Sequence, residues 1–506
     1  MLLAVLLVLG WTYTPWVSPD PITGLDPFGP NFQLSTVGSP GSADTGDATE
    51  PAQRHAGPHA AHPPINAFFD LFTADDRDFD RAAETIRARF RPGHTALLLE
   101  VRRFSPAASH RQRMDALIDE LTGQDFRGDT DAAWHWVWAQ PYDPHPGYAA
   151  FKAQLYRVLD PRFEAYFDDY TDHAHIRLDE IRWGGVRRDG IPPLDHPRHV
   201  AAGDRDARYL ADTDVVFGVA FEGQARAYPK RILAWHEMVK DTFGTGDRPL
   251  SVNGVYCTLC GSMIVYRTEH RGTHHELGTS GFLYRSNKLM YDHATESMWS
   301  TLTGEPVVGP LVGQGIRLEP LHVVTTSWGQ WKKRHPATTV LTLDTGHRRD
   351  YGEGVAYRSY FATDRLMFTV PRPDAQAPSP LLNKAEVLAL RFAGPDDSPT
   401  AIDTELLARA PVYLGTLGST RYAVLTDPSG ANRVYDIAGH TLETYDGDRT
   451  VIDTDGHAWT LTEDALRSAD GQTLLPRLPA HRAFWFGWRA AYPDTVLLHI
   501  DQLSDG

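Results

Sequence analysis

Internal repetition is the feature of this sequence that most constrains its fold. Segments from one stretch of the chain recur later in the same order: VFGVAFEG (216–223) as VLALRFAG (387–394), VYCTLCGS (255–262) as VYLGTLGS (412–419), WSTLTGE from Trp299 as WTLTED from Trp459, GQGIRLEPL (313–321) as GQTLLPRL (471–478), and WGQWKKRHPATTVL (328–341) as WFGWRAAYPDTVLL (485–498). Matches that keep their order indicate duplication of one structural unit. Short apolar runs broken by turn residues indicate that both copies are rich in strands.

The sequence therefore predicts an α+β protein in which a small N-terminal helical domain precedes a mainly β domain built from two similar repeats. We place the first repeat at 205–375 and a degenerate second repeat at 380–506. Residues 66–183 are predicted to form the helical domain. Segments there such as DDRDFDRAAETIRARF place apolar residues at helical spacing behind an acidic start.

Two segments precede the helical domain. Residues 1–16, MLLAVLLVLGWTYTPW, predict a signal sequence or short anchor, because a Leu/Val run at a terminus has no evident role in the cytosol. Residues 17–65 are rich in Pro, Gly, Ser, Ala and His and predict a disordered linker with solvated histidines, among them His62. We therefore expect an extracytoplasmic protein, secreted or attached to a membrane through its N-terminus.

Charge and cysteine content narrow the classes of function. The formal net charge is -16 at pH 7, which disfavours nucleic-acid binding. Two cysteines cannot build a disulfide framework for a chain of 506 residues. Both lie in one short motif, Cys257-Thr-Leu-Cys260, and this motif is the first candidate for chemistry.

The residue types that bind soft metals are confined to the first repeat. The second repeat has Leu414 and Leu417 at the positions of the two cysteines, Val451 at that of Met290, and no counterpart of the segment that carries His236. Since leucine occupies both cysteine positions, the thiols are an addition to the scaffold.

This pattern predicts a soft-metal site, with copper as the most plausible ion. The two cysteines would be the primary ligands, and His236 and Met290 would complete the set, because copper accepts a thioether more readily than zinc does. Glu237 and Asp292 would orient His236 through hydrogen bonds.

Three other interpretations of the motif stay open. The two cysteines have the spacing of a thiol-disulfide oxidoreductase, although the strand-like segment after them, GSMIVYRT, predicts no helix to activate a thiol. They are also consistent with a pair of buried structural cysteines. Alternatively, the protein is a cell-envelope interaction module whose helices and exposed tryptophans (Trp134, Trp136 and Trp138) engage a partner. The sequence assigns no enzyme class, partner or substrate.

Several of these motifs together resemble one known family. They are ARAYPKRILAWHEMV, YCTLCGSMIVY, GTSGFLYRSNKLMYDHATESMWS, TGEPVVGPLVG and DTGHRRDY. In this order they resemble the DUF3179 family, a domain of unknown function found in bacterial and archaeal proteins that are often exported or membrane-attached. The resemblance runs from about residue 205 to 375 and extends through LLNKAEVLAL towards the C-terminus.

The resemblance implies that the motif residues form one site, but it supplies no substrate or reaction. Its pattern falls on His236, Glu237, Cys257, Cys260, Gly261, Met290, Tyr291, Asp292 and Trp299. Family members commonly have Pro after the first cysteine, where this chain has Thr258. That difference changes the stiffness of the backbone between the thiols and leaves both thiols in place.

Overall fold

The computed structural model describes residues 62–500, apart from 74, 106, 169–172, 245–248, 372–378, 393 and 395–396. The chain divides into two compact units between Glu180 and Ile181. The predicted signal sequence or anchor (1–16) and all but the last few residues of the predicted linker (17–65) lie outside the described residues.

The first unit is helical. Its helices are α1 (Ile65–Asp70), α2 (Asp76–Arg87), α3 (Thr95–Phe104), α4 (Ala108–Thr122), α5 (Thr130–Ala139), α6 (Tyr148–Tyr156) and α7 (Glu164–Phe167). α2 illustrates why these segments are helical. Asp75 caps it by accepting hydrogen bonds from the N–H groups of Arg77 and Asp78, and Phe79, Ala83 and Ile86 bury one face.

The structure bears on two sequence-based expectations in this unit. His62 is not a solvated linker residue, because it is only 7% exposed and its Nδ1 lies 3.0 Å from Nε2 of His94. On α5, Trp134 is buried and stacks on Trp138, while Trp136 and Trp138 are half-buried. Trp134 is therefore covered, whereas Trp136 and Trp138 keep part of their surface accessible.

The second unit is mostly β. Its first part contains β1 (Ile181–Trp183), β2 (Leu194–Asp195), β3 (His199–Ala201), β4 (Val215–Phe221), β5 (Gln224–Pro229), α8 (Lys230–His236), β6 (Met238–Phe243), β7 (Leu250–Cys257), β8 (Ser262–Arg267), β9 (Glu269–His270), β10 (Thr273–His274), β11 (Leu277–Tyr284), β12 (Asn287–Asp292), β13 (Met298–Ser300), β14 (Pro306–Val308), β15 (Pro320–Leu321), β16 (Val323–Ser327), α9 (Trp328–Arg334), β17 (Thr339–Leu341) and α10 (Arg358–Phe361).

The later part of this unit continues with the same kinds of element. It contains β18 (Glu386–Leu390), β19 (Thr400–Asp403), α11 (Thr404–Arg409), β20 (Val412–Leu417), β21 (Thr420–Thr426), β22 (Asn432–Asp436), β23 (Leu442–Tyr445), β24 (Thr450–Asp453), β25 (Ala458–Leu461), β26 (Ala465–Ser468), β27 (Leu474–Pro476), β28 (Ala480–Phe484), α12 (Trp485–Ala491) and β29 (Val496–Leu498).

Sheet order positions the candidate site. One sheet has the order β15-β8-β7-β6-β2 and another the order β1-β11-β12-β13-β14. Side chains of β7 contact side chains of β12, since Asn253 on β7 donates to the sulfur of Met290 on β12. Two further sheets have the orders β16-β4-β5-β17-β3 and β28-β18-β19-β29.

The predicted fold class is confirmed in its broad form, with helices from Ile65 to Phe167 and mostly strands afterwards. The change at Ile181 comes slightly before the predicted end of the helical domain at 183, because β1 pairs with β11 of the β unit. Across the described residues, none of the helices has the length and apolar character needed to span a bilayer.

Candidate functional site

The two cysteines lie at the end of a buried strand and in the tight turn after it. Cys257 is the last residue of β7, and Thr258–Cys260 form a single 3-10 turn. Gly261 then takes φ of +63°, which lets β8 begin at once. A Cβ at this glycine would lie 3.0 Å from the ring of Phe484, so both conformation and space favour glycine. The cysteines are 3% and 1% exposed and are not joined by a disulfide.

Hydrogen bonds make the two thiols unequal. Burial favours the neutral thiol, yet the pKa of Cys257 is lowered, because the neighbouring Cys260 side chain and the backbone of Lys288 and Cys260 favour its thiolate. The pKa of Cys260 is raised far above its usual range by burial and by the neighbouring Cys257. The Cys260 thiol also donates to the carbonyl oxygen of Ser286 at 3.0 Å. The sulfur of Cys257 lies 4.0 Å from the same carbonyl oxygen, so both thiols face Ser286.

A buried charged group lies beside the thiols. Glu237 ends α8 in the left-handed region, and its carboxylate is 2.7 Å from Nζ of Lys288. The Tyr357 hydroxyl donates to the other carboxylate oxygen at 3.0 Å. Glu237 acts to raise the pKa of both thiols, which places its charge close to them. A buried ion pair of this kind is costly to desolvate and is often found where chemistry requires it.

His236 contacts a different group of side chains. Its Nδ1 donates to the carbonyl oxygen of Pro192 at 2.9 Å, and its Nε2 accepts from the hydroxyl of Tyr351 at 2.6 Å. The Tyr351 hydroxyl in turn lies 2.6 Å from that of Thr345. Burial, with nearby His347 and Arg349, lowers the pKa of His236 to about 4. The imidazole is therefore neutral at pH 7, and both of its nitrogens are already engaged.

Met290 lies in the apolar core between the sheets. It is fully buried, and its sulfur accepts a hydrogen bond from Nδ2 of Asn253 at 3.6 Å. Asn253 precedes Cys257 by four residues in β7, which corresponds to roughly 13 Å along a strand. The methionine sulfur is thus held near the middle of β7, whereas Cys257 is the last residue of that strand.

Asp292 holds a hairpin and does not contact His236. Its Oδ2 lies 3.0 Å from Nδ1 of His275, whose ring is 5.0 Å from that of Trp299. A similar arrangement recurs around Asp453, His440 and Trp459: Asp453 Oδ2 is 3.7 Å from His440 Nδ1, and the His440 and Trp459 rings are 4.8 Å apart. An arrangement that occurs twice points to a role in the scaffold.

The structure thus brings together Cys257, Cys260 and Glu237, and it places His236, Met290 and Asp292 among other partners. The four predicted copper ligands do not converge on one point, so copper binding stays a prediction that concerns the two thiols alone. Within the part of the chain that the structure describes, the His, Cys, Asp and Glu side chains that lie close enough together for a metal ion are Asp453, Asp455 and His457.

Aromatic side chains cover the thiols from two directions. We define the thiol cover as residues 357–361 together with 484–491. Tyr360 donates to the carbonyl oxygen of Leu259, inside the cysteine motif, at 2.8 Å. From the other side, a Cβ at Gly487 on α12 would lie 3.2 Å from Cβ of Cys260. Phe361 and Phe484 join the two parts, with ring centroids 6.1 Å apart.

Sequence reasoning missed the residues that surround the thiols. Lys288 stands two residues before Met290 in the motif NKLMYD, and Tyr357 follows the motif DTGHRRDY. The available signal was a lysine within the strand-like segment NKLMYD, and the structure shows all six of these residues buried. Tyr357 carried no comparable signal, because its partner Glu237 is 120 residues away.

Comparison with known proteins identifies the same family as the sequence motifs do. The family model described as "Protein of unknown function (DUF3179)" matches residues 188–495, more than half of the chain. The chain belongs to this family. Searches of curated proteins and of solved structures found no match. The DUF3179 match includes both cysteines, Glu237, Lys288 and Tyr357, so every residue of the buried cluster lies within the family region.

Proposed function

We propose that Cys257 and Cys260 form a redox site that cycles between a dithiol and a disulfide. The observation that carries this proposal is the convergence of both buried thiols on one carbonyl oxygen, that of Ser286, which lies 4.0 Å from the sulfur of Cys257 and 3.0 Å from that of Cys260. Two thiols that contact the same atom, two residues apart in the chain, have the spacing of a pair that can be oxidised to a disulfide, and the pKa of the first thiol is lowered.

The two thiols have different roles in this proposal. Cys257, as the thiolate, attacks the oxidant, and Cys260 then attacks the sulfur of Cys257 to form one S–S bond. Oxidation removes two electrons and two protons from the pair, and the oxidant takes up both electrons. Glu237 does not touch the oxidant; its carboxylate, held by Lys288 and Tyr357, sets the electrostatic field in which the thiols lose their protons.

We also propose that the second unit contains two copies of one β-rich fold. In support, β4 pairs with β16 and β5 in antiparallel fashion and β5 pairs with β17 in parallel, and β18, β28, β19 and β29 repeat this pattern. Met290 pairs with Trp299 as Val451 pairs with Trp459. An experimental structure in which these strands do not superpose would contradict the duplication.

The duplication bears on the function, because the second copy lacks the thiols. Leu414 is 38% exposed, whereas Leu417 is buried. Leu414 occupies the position of Cys257, which is only 3% exposed. The burial of this thiol is therefore a specialised feature of the first copy. Copper binding is not part of this proposal, because His236 and Met290 bind other partners.

An equilibrium redox titration tests the proposed function. The reduced full chain is held for many hours in dithiothreitol buffers of defined oxidation state, so that local opening admits the reagent. It is then unfolded in acid, and the free thiols are alkylated and counted by mass. We expect a reversible change from two thiols to none, with no change in a Cys257→Ser/Cys260→Ser variant. If no reversible disulfide forms at any potential, the proposal fails. Metal analysis of the same two proteins after copper loading tests the copper prediction in parallel.

We further propose an extracytoplasmic location. This proposal rests on the sequence of residues 1–16 and on the family resemblance, because members are often exported or membrane-attached. N-terminal sequencing of the protein recovered from its native host tests this proposal, since an exported chain with a signal sequence would have lost that segment.

A further inference from the structure

We propose that hydrogen peroxide is the oxidant that this dithiol reduces. The inference rests on the proposed redox function and adds the class of substrate. Two observations carry it: the burial of both thiols beneath the thiol cover, and the unpaired hydroxyl groups beside the first of them.

The thiol cover limits the size of an oxidant. The cysteines are 3% and 1% exposed, and Tyr360 bonds to Leu259 between them. Gly487 lies against Cys260, where even one added carbon would be crowded. Exchange with a disulfide needs in-line approach of a sulfur that carries a chain on each side. A molecule of two oxygen atoms needs no such room.

An unpaired hydroxyl lies next to the first thiol. Ser262 on β8 is directly opposite Cys257 on β7, so the two side chains share one face, with Cβ atoms about 4.5–5.5 Å apart. Ser262 is 1% exposed, and its Oγ has no hydrogen-bond partner among the described residues. Thr258, between the two cysteines, is fully buried, and its hydroxyl is likewise unpartnered in the described structure.

Buried hydroxyl groups without partners are rare in native proteins, and each calls for an explanation. A small guest that both donates and accepts hydrogen bonds would satisfy Ser262. Hydrogen peroxide has two O–H groups and four lone pairs in a volume close to that of two water molecules. The same bonds would hold its O–O bond beside the sulfur of Cys257.

The chemistry balances with peroxide as the only other reactant. The thiolate of Cys257 attacks one oxygen, the O–O bond breaks, and the leaving oxygen takes up the proton that the thiol released on ionisation and departs as water. This leaves a sulfenic acid on Cys257. The Cys260 thiol then attacks that sulfur, and the second oxygen leaves as water with the remaining proton. Two thiols and one peroxide thus give one disulfide and two waters.

The test compares the rates of two oxidants on the reduced full chain. Hydrogen peroxide and oxidised glutathione are added separately at equal concentration and pH 7, and thiol loss is followed by alkylation and mass. We expect peroxide to form the internal disulfide at least tenfold faster, with no glutathione adduct. In a Cys260→Ser variant, peroxide should stop at a sulfenic acid on Cys257 that dimedone traps.

Two further variants separate the hydroxyl from the thiol cover. Ser262→Ala should slow the peroxide reaction about fivefold, which is about 1 kcal/mol at 1.36 kcal/mol per tenfold. Ser419→Ala is the matched control, because Ser419 occupies the similar position in the second copy, is exposed, and should have no effect. Tyr360→Phe removes the bond to Leu259 and should raise the ratio of the glutathione rate to the peroxide rate.

The outcomes distinguish this inference from the proposed function. If oxidised glutathione reacts as fast as peroxide with the wild-type chain, or if Ser262→Ala changes nothing, the assignment of peroxide is wrong and the redox function stands. If neither reagent forms the disulfide and the equilibrium titration also finds none, both fail.

Discussion

Replacing Lys288 with Met tests the buried charged group beside the thiols. Nζ of Lys288 lies 2.7 Å from the carboxylate of Glu237, and the two side chains are only 7% and 9% exposed. Methionine has nearly the length of lysine and carries no charge. The variant therefore leaves Glu237 buried, and the Tyr357 hydroxyl is its remaining side-chain hydrogen-bond partner among the described residues.

The expected loss of stability follows from this burial. Removing one partner of a buried ion pair costs about 3–5 kcal/mol, because the other charge stays desolvated. A Glu237→Gln/Lys288→Met double variant removes both charges, so we expect it to recover most of that loss. In the single variant the uncompensated carboxylate should also raise the pKa of Cys257, since a nearby negative charge disfavours the thiolate.

Both cysteines of the chain lie in the second unit, so urea unfolding followed by the exposure of the thiols reports on that unit alone. Thiol trapping as a function of urea concentration at pH 7 gives the stability, and the rate of alkylation as a function of pH gives the pKa of Cys257. We expect the midpoint of the single variant to fall clearly below that of wild type, and its alkylation profile to move to higher pH.

Lys240→Met is the matched control. Lys240 also pairs with two carboxylates, Asp195 and Glu276, but these are 59% and 56% exposed. Exposed pairs are worth about 0–1 kcal/mol, so this variant should be close to wild type. The reasoning is refuted if Lys288→Met is as stable as Lys240→Met, or if the double variant is no more stable than the single one.

Three other predictions concern residues around the site. Gly261→Ala should cost about 1–3 kcal/mol, measured by urea unfolding, because it puts a Cβ at positive φ and 3.0 Å from the Phe484 ring. The pKa of His236 is about 4 in the folded protein against 6.5 in the unfolded chain, so the free energy of unfolding is highest above pH 6.5 and falls by about 3 kcal/mol as pH drops towards 4. Urea unfolding at pH 7.5 and pH 5 should show a smaller fall in this free energy for His236→Gln than for wild type. Met290→Leu should cost less than about 1.5 kcal/mol and leave thiol alkylation unchanged, whereas a change in copper retention would show that the thioether is a ligand after all.

Local patterns in the sequence predict much of the fold. The spacing of Phe79, Ala83 and Ile86 and the acidic start before them predict α2, and the structure has that helix at Asp76–Arg87. The short apolar runs of the first repeat, such as VFGVAFEG at 216–223, predict strands, and β4 spans Val215–Phe221. Such patterns succeed because buried positions repeat every 3.6 residues in a helix and every second residue in a strand, whichever element packs against the buried face.

The candidate site is predicted less completely, because contacts depend on the direction of each side chain. Glu237 was predicted to orient His236, but its carboxylate pairs with Lys288 and Tyr357. His236 bonds instead to Pro192 and Tyr351. Glu237 has a left-handed backbone conformation at the end of α8, with φ of +55°, and the side chains of His236 and Glu237 contact different residues. Adjacent motif residues can therefore serve different groups of partners.

The sequence by itself determined the order of helices and strands, the recurrence of similar segments, and the confinement of both cysteines to one of them. The tertiary structure decided which side chains meet those cysteines. Lys288 and Tyr357 reach Glu237 from 51 and 120 residues away in the chain, and Ser262 lies beside Cys257 only because β8 pairs with β7 in that register. Strand register and the crossing of sheets are set by the packing of the whole core, so no local pattern contains them.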